Sequence, residues 1–126
     1  MPTSSKDLLA AANAAVPKIS AADAQALIDK GDALVVDVRD GTEVAQTGKV
    51  AGAVHVSRGL LEFKADPEAP TYDKAFDPNK TVVVYCASGG RSALAGKLLQ
   101  DMGYKDVRNL GGFKDWVAAG GKIDKP

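Results

Sequence analysis

Two long runs of apolar residues stand out along the chain, and neither alternates with polar positions. They cover residues 33–38 (ALVVDV) and 81–86 (TVVVYC). A strand with one face in solvent alternates apolar and polar residues, whereas a central strand of a parallel sheet is covered by helices on both faces. The two runs therefore predict two central strands of a parallel sheet.

Shorter apolar segments, and apolar positions at helical spacing, lie around these two runs. One predicted helix begins at Ser20 and Asp23, whose side chains can accept hydrogen bonds from free amides at a helix start, and it ends at Gly31. Residues 64–80, which contain three prolines, are predicted to form a long irregular connection. Strands and helices otherwise alternate, which favours an open α/β sheet with right-handed crossovers. The other predicted helices cover residues 4–15, 91–102 and 113–119, and the weaker predicted strands cover residues 16–19, 53–56 and 106–110.

Length and composition restrict the class of protein. We expect 126 residues to form a single domain, spanning residues 1–126 with residues 1–15 as an N-terminal helical extension. The 16 basic and 16 acidic residues give a net charge of zero, which disfavours nucleic acid as a partner. The single cysteine excludes an internal disulfide, and with one histidine it argues against a metal cluster. Because no apolar run approaches the roughly 18 residues of a membrane span, and the start of the chain is unlike a signal peptide, we expect a cytoplasmic protein.

The segment 86–92 (CASGGRS) carries the chemistry that the sequence suggests. It lies where a predicted central strand ends and a helix begins, and open parallel sheets bind ligands at that edge. A loop of small residues can direct several backbone amides to one point, where the positive end of the following helix also favours an anion. The sequence therefore predicts an anion site in this loop.

Cys86 occupies the first position of the loop, where the amides would favour its thiolate over its thiol. Arg91 ends the loop with a planar guanidinium that suits a two-oxygen anion such as a sulfonate. A cysteine after three valines is also compatible with a buried structural residue, because free cysteine is among the most buried residue types. Core packing gives no reason for the two glycines and the arginine that follow, so the pattern favours a reactive thiol.

Four segments in order along the chain resemble the successive motifs of the rhodanese family. They are residues 36–39 (VDVR), 52–59 (GAVHVSRG), 85–92 (YCASGGRS) and 111–116 (GGFKDW). The resemblance spans about residues 16–123 and is to the single-domain sulfurtransferases of the thiosulfate sulfurtransferase type. It implies a five-stranded parallel sheet flanked by helices on both faces, and transfer of sulfane sulfur through a cysteine persulfide.

The resemblance also implies roles for the loop residues. Cys86 would attack the outer sulfur of thiosulfate or another donor, release sulfite and become a persulfide, while Arg91 would orient the donor. An acceptor from outside the chain would then take the sulfur, because the sequence has no second cysteine: cyanide in an assay, a small thiol or a protein. Neither a cofactor nor a metal is implied. The implied substrate-binding residues are Ala87, Ser88, Gly89, Gly90, Arg91 and Ser92.

Two positions depart from the family pattern. Residues 48–53 (GKVAGA) lack the histidine and the proline that many relatives carry before the third strand, which we expect to alter packing at a loop. Ala87 occupies a position where some thiosulfate-using relatives carry a basic residue. The second departure predicts weak binding of thiosulfate and leaves the physiological donor open.

Other residues near these motifs have simpler interpretations. Asp37, at the end of a predicted central strand, is expected to form an ion pair with Arg39, or a hydrogen bond to a helix start, in preference to tuning the loop. His55 and Trp116 are expected to be structural, since no partner acid marks the histidine as a base. Arg58 follows the third strand at the same edge as the cysteine, so we hypothesise that it binds substrate by adding positive charge at the mouth of the site.

Three other functions use the same kind of loop. A phosphatase or arsenate reductase would apply the cysteine and arginine to an oxyanion, but its relatives have five residues between the two, whereas this chain has four. A sulfur carrier or interaction module would pass the persulfide to a partner protein. A redox sensor would oxidise the activated thiol to a sulfenate. The short loop disfavours the phosphatase and leaves the other two functions open.

Overall fold

The two long apolar runs form neighbouring strands of a parallel sheet, as predicted. The computed structural model describes residues 2–126 and contains six strands over that range. In chain order they are β1 (Ala33–Asp37), β2 (Lys49–Val50), β3 (Val54–His55), β4 (Thr81–Cys86), β5 (Asp106–Gly112) and β6 (Ile123–Asp124). β1 pairs with β4 along its whole length, from Ala33 opposite Thr81 to Asp37 opposite Tyr85.

The central sheet has four parallel strands in the order β3-β1-β4-β5, so the expectation of five strands is wrong. Residues 16–19, predicted as the first strand, run beside β5 and make one bridge, to Asn109. The Asn109 amide donates to the Pro17 carbonyl oxygen at 2.8 Å, and the Ile19 amide donates to the Asn109 carbonyl oxygen at 3.1 Å. The pairing extends no further because Pro17 has no amide hydrogen and Ser20 already caps the next helix. β2 and β6 form a separate antiparallel pair.

Six helices surround the sheet over residues 2–126. Part of the capping predicted for the second helix forms: the Ser20 hydroxyl accepts a hydrogen bond from the Asp23 amide at 3.1 Å, and Gly31 has the left-handed φ of 70°. The Asp23 carboxylate does not accept the hydrogen bond from the Ser20 amide that a capping box would add. None of the helices in this range combines the length and apolar character that a membrane crossing requires. The helices are α1 (Ser5–Ala15), α2 (Ala21–Lys30), α3 (Gly41–Thr47), α4 (Leu61–Ala65), α5 (Gly90–Asp101) and α6 (Phe113–Ala118). The sequence pattern does not predict α3 or α4, because one or two turns are too short to display a helical period.

Each face of the sheet is covered by its own hydrophobic cluster. Along β4, Val82, Val84 and Cys86 contribute to one cluster together with side chains of α4 and α5. Val83 and Tyr85 belong to the other cluster, which includes side chains of α2 and α6. Helices therefore cover both faces, as the resemblance implies, and the candidate cysteine lies on the α4–α5 face.

Residues 66–80 connect α4 to β4 without a helix or strand, so the irregular segment predicted over residues 64–80 is confirmed except for its first two residues, which belong to α4. Phe76 anchors this segment, since it is fully buried and its ring meets that of Tyr104 edge-on with 6.3 Å between centroids. Three aspartates of the segment each accept a hydrogen bond from the amide two residues later: Asp66, Asp73 and Asp77. The connection is thus a series of tight turns packed on the α4–α5 face.

Candidate active site

A three-residue loop, Ala87 to Gly89, joins the end of β4 to the start of α5 and follows directly on the candidate cysteine. Cys86 is the last residue of β4 and lies opposite Gly112 of β5. Gly89 has a φ of 102°, a left-handed conformation that glycine adopts without strain. A Cβ atom at Gly112 would lie 2.7 Å from the Ala87 carbonyl oxygen, so the loop packs against β5 where only glycine fits.

Hydrogen-bond donors of the loop and of α5 surround the Cys86 sulfur. The Gly89 amide donates to Sγ at 3.0 Å, and the Ser92 hydroxyl lies 3.4 Å from Sγ. Cys86 itself is buried, whereas Ala87 and Ser88 are exposed. The sulfur is therefore held just beneath an exposed loop that supplies backbone amides.

These contacts determine the acidity of the thiol. Burial raises the pKa of Cys86, since a low-dielectric interior disfavours the charged thiolate. Hydrogen bonds from the Ser92 side chain and from the backbone of Ser92, Gly89 and Ser88 act in the opposite direction and outweigh burial, so the pKa of the thiol lies below its usual range. The direction is the one expected for a cysteine in an anion-binding loop, and the thiolate is the nucleophilic form.

Asn109 of β5, which sequence reasoning does not identify as a site residue, supports the loop from below. Its Oδ1 accepts hydrogen bonds from the Ser92 hydroxyl at 2.7 Å and from the Gly111 amide at 2.9 Å. Its Nδ2 donates to the Gly89 carbonyl oxygen at 3.3 Å. The only signal in the sequence is a polar residue inside a strand, just before two glycines. The side chain fixes Ser92 and Gly89, the two residues that bind the sulfur.

Arg91 forms a two-pronged ion pair with Glu43 of α3. Its Nη1 and Nη2 lie 2.6 Å and 3.0 Å from the two carboxylate oxygens. Glu43 is also held by its own helix, because its Oε1 accepts a hydrogen bond from the Asp40 amide at 3.1 Å. The hydrogen bond with Arg91 lowers the pKa of Glu43 to about 2, so the carboxylate is charged at neutral pH. Sequence reasoning misses Glu43, although its spacing from Asp40 is that of a capping box and marks a helix start at this edge.

Two open clefts border the loop. The larger, of about 530 Å³, lies between α1 and the loop and is lined by Leu9, Ser88 and Gly89 among others. The smaller, of about 230 Å³, is lined by Ala87 and Glu43 on the other side. Solvent therefore reaches the loop from two directions, although Cys86 itself lines neither cleft.

Comparison of the sequence with models of known protein families finds a match that covers most of the chain. The family model of the rhodanese-like domain matches residues 20–119. The chain belongs to the rhodanese-like family. The match covers the β4–α5 loop with its cysteine, and it confirms the resemblance carried by the four sequence motifs.

Relatives of this chain include sulfurtransferases. The thiosulfate sulfurtransferase GlpE of Coxiella burnetii is 33% identical over 102 residues, which cover 80% of this chain and 87% of that protein. The solved structure of a polysulfide-sulfur transferase homodimer from Wolinella succinogenes is 36% identical with a TM-score of 0.76, and the match covers 96% of this chain and 87% of that one. A solved protein of Rhodopseudomonas palustris, described as being of unknown function and a possible tyrosine phosphatase, is 43% identical with a TM-score of 0.88, and the match covers 98% and 99% of the two chains. The sulfurtransferase relatives support sulfur transfer as the general activity of this chain.

A buried polar network lies behind the loop, and it includes the ion pair predicted between Asp37 and Arg39. Asp37 Oδ2 lies 2.6 Å from Arg39 Nη2, which confirms that prediction. The Tyr85 hydroxyl donates to Asp37 Oδ2 at 2.7 Å and accepts a hydrogen bond from the Val50 amide at 2.9 Å. Burial, reinforced by Asp37, raises the pKa of Tyr85 well above its usual range, so its hydroxyl stays a donor. The Arg39 guanidinium also lies 4.4 Å from the centroid of the Phe113 ring.

Structural roles are confirmed for the histidine and tryptophan of the rhodanese motifs. Trp116 is 1% exposed, and its Nε1 donates to the Lys122 carbonyl oxygen at 2.8 Å. The His55 Nε2 lies 2.7 Å from the Arg39 carbonyl oxygen. Both side chains therefore fasten the framework around the site.

Arg58 lies at the same edge of the sheet as the loop. It follows β3, and its amide donates to the Val38 carbonyl oxygen, just beyond the end of β1, at 3.1 Å. Its Nη1 lies 3.1 Å from the Glu62 carboxylate, and its buried Nε has no hydrogen-bond acceptor among residues 2–126. The positive charge that we hypothesise at the mouth is thus partly balanced by Glu62, and a role in binding substrate stays a prediction.

Proposed function

We propose that this rhodanese transfers sulfane sulfur from a small donor to a thiophilic acceptor through a persulfide of Cys86. The observation that supports this most strongly is the Cys86 sulfur itself, bound by the Gly89 amide at 3.0 Å beneath an exposed loop. A thiol with a lowered pKa, next to amides that stabilise an anion, combines a nucleophile with a site for the charge that it acquires.

The first half-reaction makes one sulfur–sulfur bond and breaks another. The Cys86 thiolate attacks the outer sulfur of the donor, and the bond between that sulfur and the rest of the donor breaks. The leaving group takes the electron pair of that bond and departs as sulfite when the donor is thiosulfate. Cys86 becomes a persulfide whose terminal sulfur carries the negative charge. We infer that the amides of residues 87–91 bind this sulfur and that Arg91 orients the donor.

The second half-reaction needs a nucleophile from outside the chain, because Cys86 is the only cysteine of the sequence. The acceptor attacks the terminal sulfur, and the Cys86 thiolate leaves with the electron pair of the broken bond. Cyanide becomes thiocyanate in this step, and a thiolate becomes a persulfide. A protein thiol would serve equally well, which would make the domain a sulfur carrier for a partner.

Intact mass measurement tests the proposed persulfide directly. The reduced protein is incubated with thiosulfate and, separately, with glutathione persulfide, and cyanide is then added. We expect a gain of one sulfur atom that cyanide removes, and no gain in Cys86→Ala. Absence of the added sulfur with both donors would overturn the proposed function.

A phosphatase is the second candidate, because the relative from Rhodopseudomonas palustris is described as a possible tyrosine phosphatase. A phosphatase loop must enclose a tetrahedral phosphate and bring its arginine to the phosphate oxygens. Only four residues separate Cys86 from Arg91, and Arg91 is bound to Glu43. Both features favour a sulfur site over a phosphate site. Hydrolysis of para-nitrophenyl phosphate by the wild-type protein, but not by Cys86→Ser, would instead favour the phosphatase.

A further inference from the structure

Each arginine at the carboxyl edge of the sheet is paired with its own carboxylate. The three pairs bring nitrogen and oxygen atoms within 2.6 to 3.1 Å of each other. Ala87, which directly follows the cysteine, adds no charge of its own. The pairs are Arg39 with Asp37, Arg58 with Glu62, and Arg91 with Glu43.

The pair closest to the chemistry is the one formed by Arg91, in the first turn of α5 just after the loop. Both of its terminal nitrogens bind Glu43, and its guanidinium also interacts electrostatically with Cys86. About a third of each side chain is exposed, at 37% for Arg91 and 31% for Glu43, so a donor in the mouth meets the pair and not the arginine alone. A guanidinium already bound to a carboxylate offers little net charge to a second anion.

Two further charges flank this pair, and they have opposite signs. Lys114 lines the small cleft beside Ala87, and Asp40 lies close enough to act on Arg91. Both residues are exposed, so water screens them and their effects on a bound anion oppose each other. The balance of charge around Arg91 therefore depends chiefly on Glu43.

Thiosulfate is poorly suited to such a site because it brings two negative charges to a thiolate. A thiol persulfide transfers the same kind of sulfur with at most one charge at its reacting end. On the basis of the proposed sulfur transfer, we propose that Glu43 neutralises Arg91 and so makes the site selective for sulfane donors of the persulfide class over dianionic thiosulfate. Glu43 is in this view a residue that determines specificity and acts through Arg91.

Two donors that differ by one charge test this proposal. Methanethiosulfonate has a methyl group in place of one anionic oxygen of thiosulfate, and its attack by Cys86 releases methanesulfinate in place of sulfite. We would measure kcat/KM for both donors with cyanide as acceptor, each divided by the rate of the same donor with free N-acetylcysteine. The wild type should prefer methanethiosulfonate. Glu43→Gln should raise kcat/KM for thiosulfate about tenfold and that for methanethiosulfonate by a smaller factor.

Asp101→Asn is the matched control, because Asp101 pairs with Lys97 at the far end of α5, the helix that contains Arg91. It removes one carboxylate as Glu43→Gln does, and we expect it to leave both donors unchanged. If Glu43→Gln lowers kcat/KM equally for both donors, Glu43 only positions Arg91. An unchanged ratio of the two kcat/KM values would likewise overturn the proposed selectivity.

A measurement on the wild type keeps the proposal testable if Glu43→Gln does not fold. Added salt should raise kcat/KM for thiosulfate more than for methanethiosulfonate, because it screens the repulsion of the dianion. A fall of kcat/KM for thiosulfate with added salt, as expected for an unpaired Arg91, would contradict the proposal. Failure of the wild type to form a persulfide with thiosulfate, methanethiosulfonate and glutathione persulfide would instead refute the proposed function itself.

Discussion

At the scale of single residues, the Ser92 hydroxyl links the ionisation of the thiol to the structure of the loop. It lies 2.7 Å from Asn109 Oδ1, 3.1 Å from the Gly89 carbonyl oxygen and 3.4 Å from Cys86 Sγ. A hydroxyl has one hydrogen and cannot donate to all three acceptors at once. A thiolate is the only charged acceptor among them and attracts that hydrogen most strongly. Ser92 therefore stabilises the thiolate more than the thiol.

Replacing Ser92 by alanine removes this hydrogen bond and leaves the loop amides in place. Because the hydroxyl lowers the pKa of Cys86, we expect Ser92→Ala to raise it and to slow alkylation by iodoacetamide about threefold to tenfold at pH 7. The pH profile of alkylation measures the shift. Ser88→Ala is the control, since Ser88 acts through its backbone amide, and its profile should match the wild type. A Ser92→Ala profile that overlays the wild type would contradict this role of the hydroxyl.

The Arg91–Glu43 pair predicts a contribution to stability that is lost in acid. The pKa of Glu43 is about 2 in the folded protein against a usual 4.5, so the unfolded chain binds the proton first as the pH falls. The contribution is therefore complete above pH 4.5 and declines between that value and pH 2. Because about a third of each side chain is exposed, we expect about 1 kcal/mol. Urea unfolding should show Glu43→Gln less stable by this amount at pH 7, with the gap mostly closed at pH 3; a gap that is constant with pH would exclude the ion pair as its source.

Some of these residues are visible in the sequence and others are not. Cys86 and Arg91 stand out because packing does not explain small residues and an arginine after a buried strand. Glu43 and Asn109 do not stand out, because each acts through a contact between segments distant in the chain, Glu43 on Arg91 and Asn109 on Ser92. The local sequence pattern therefore identifies the reacting cysteine and its arginine, whereas the residues that hold them in place are brought there by the tertiary fold.

At the scale of elements, a register shift between β4 and β5 positions the loop. Val84 lies opposite Asn109, but Tyr85 lies opposite Gly111, so β5 contains one extra residue at this point. The shift brings Gly112, and not Gly111, opposite Cys86. The sequence predicts both strands but not the bulge, because a single extra residue leaves the apolar pattern almost unchanged.

Gly112 is the point where β5 and the loop lie too close together for a side chain. A Cβ atom there would meet the Ala87 carbonyl oxygen at 2.7 Å, and this oxygen belongs to the backbone and not to a flexible side chain that could move away. We expect Gly112→Ala to destabilise the protein by about 2 kcal/mol and to reduce persulfide formation at least tenfold, because the loop must shift from Cys86. Urea unfolding and initial rates measure the two effects. Gly59→Ala, where an added Cβ meets nothing within 4 Å, should change neither, and a fully active Gly112→Ala would show that the loop tolerates displacement.

At the scale of the whole molecule, the reacting sulfur and the contacts that hold the fold together lie on opposite faces of β4. Cys86 belongs to the cluster on the α4–α5 face, while Tyr85 belongs to the cluster on the α2–α6 face. The Tyr85 hydroxyl joins Asp37 of β1 to Val50 of β2, and β2 in turn pairs with β6 near the end of the chain. The alternation of side chains along a strand therefore separates the reacting sulfur from the contacts that hold the sheet to its flanking pair.

Removing the Tyr85 hydroxyl should lower stability without lowering activity. Tyr85→Phe leaves the Val50 amide buried without an acceptor and deprives Asp37 of a donor, which together cost about 3 kcal/mol. Tyr104→Phe is the matched control, since it loses a single hydrogen bond to the Ala65 carbonyl oxygen and should cost about 1 kcal/mol. Urea unfolding should rank the two variants in this order, while kcat/KM stays at the wild-type value where each variant is folded. A loss of rate in Tyr85→Phe that exceeds its loss of folded protein would mean that the two faces are coupled, and the network behind the loop would then belong to the catalytic apparatus.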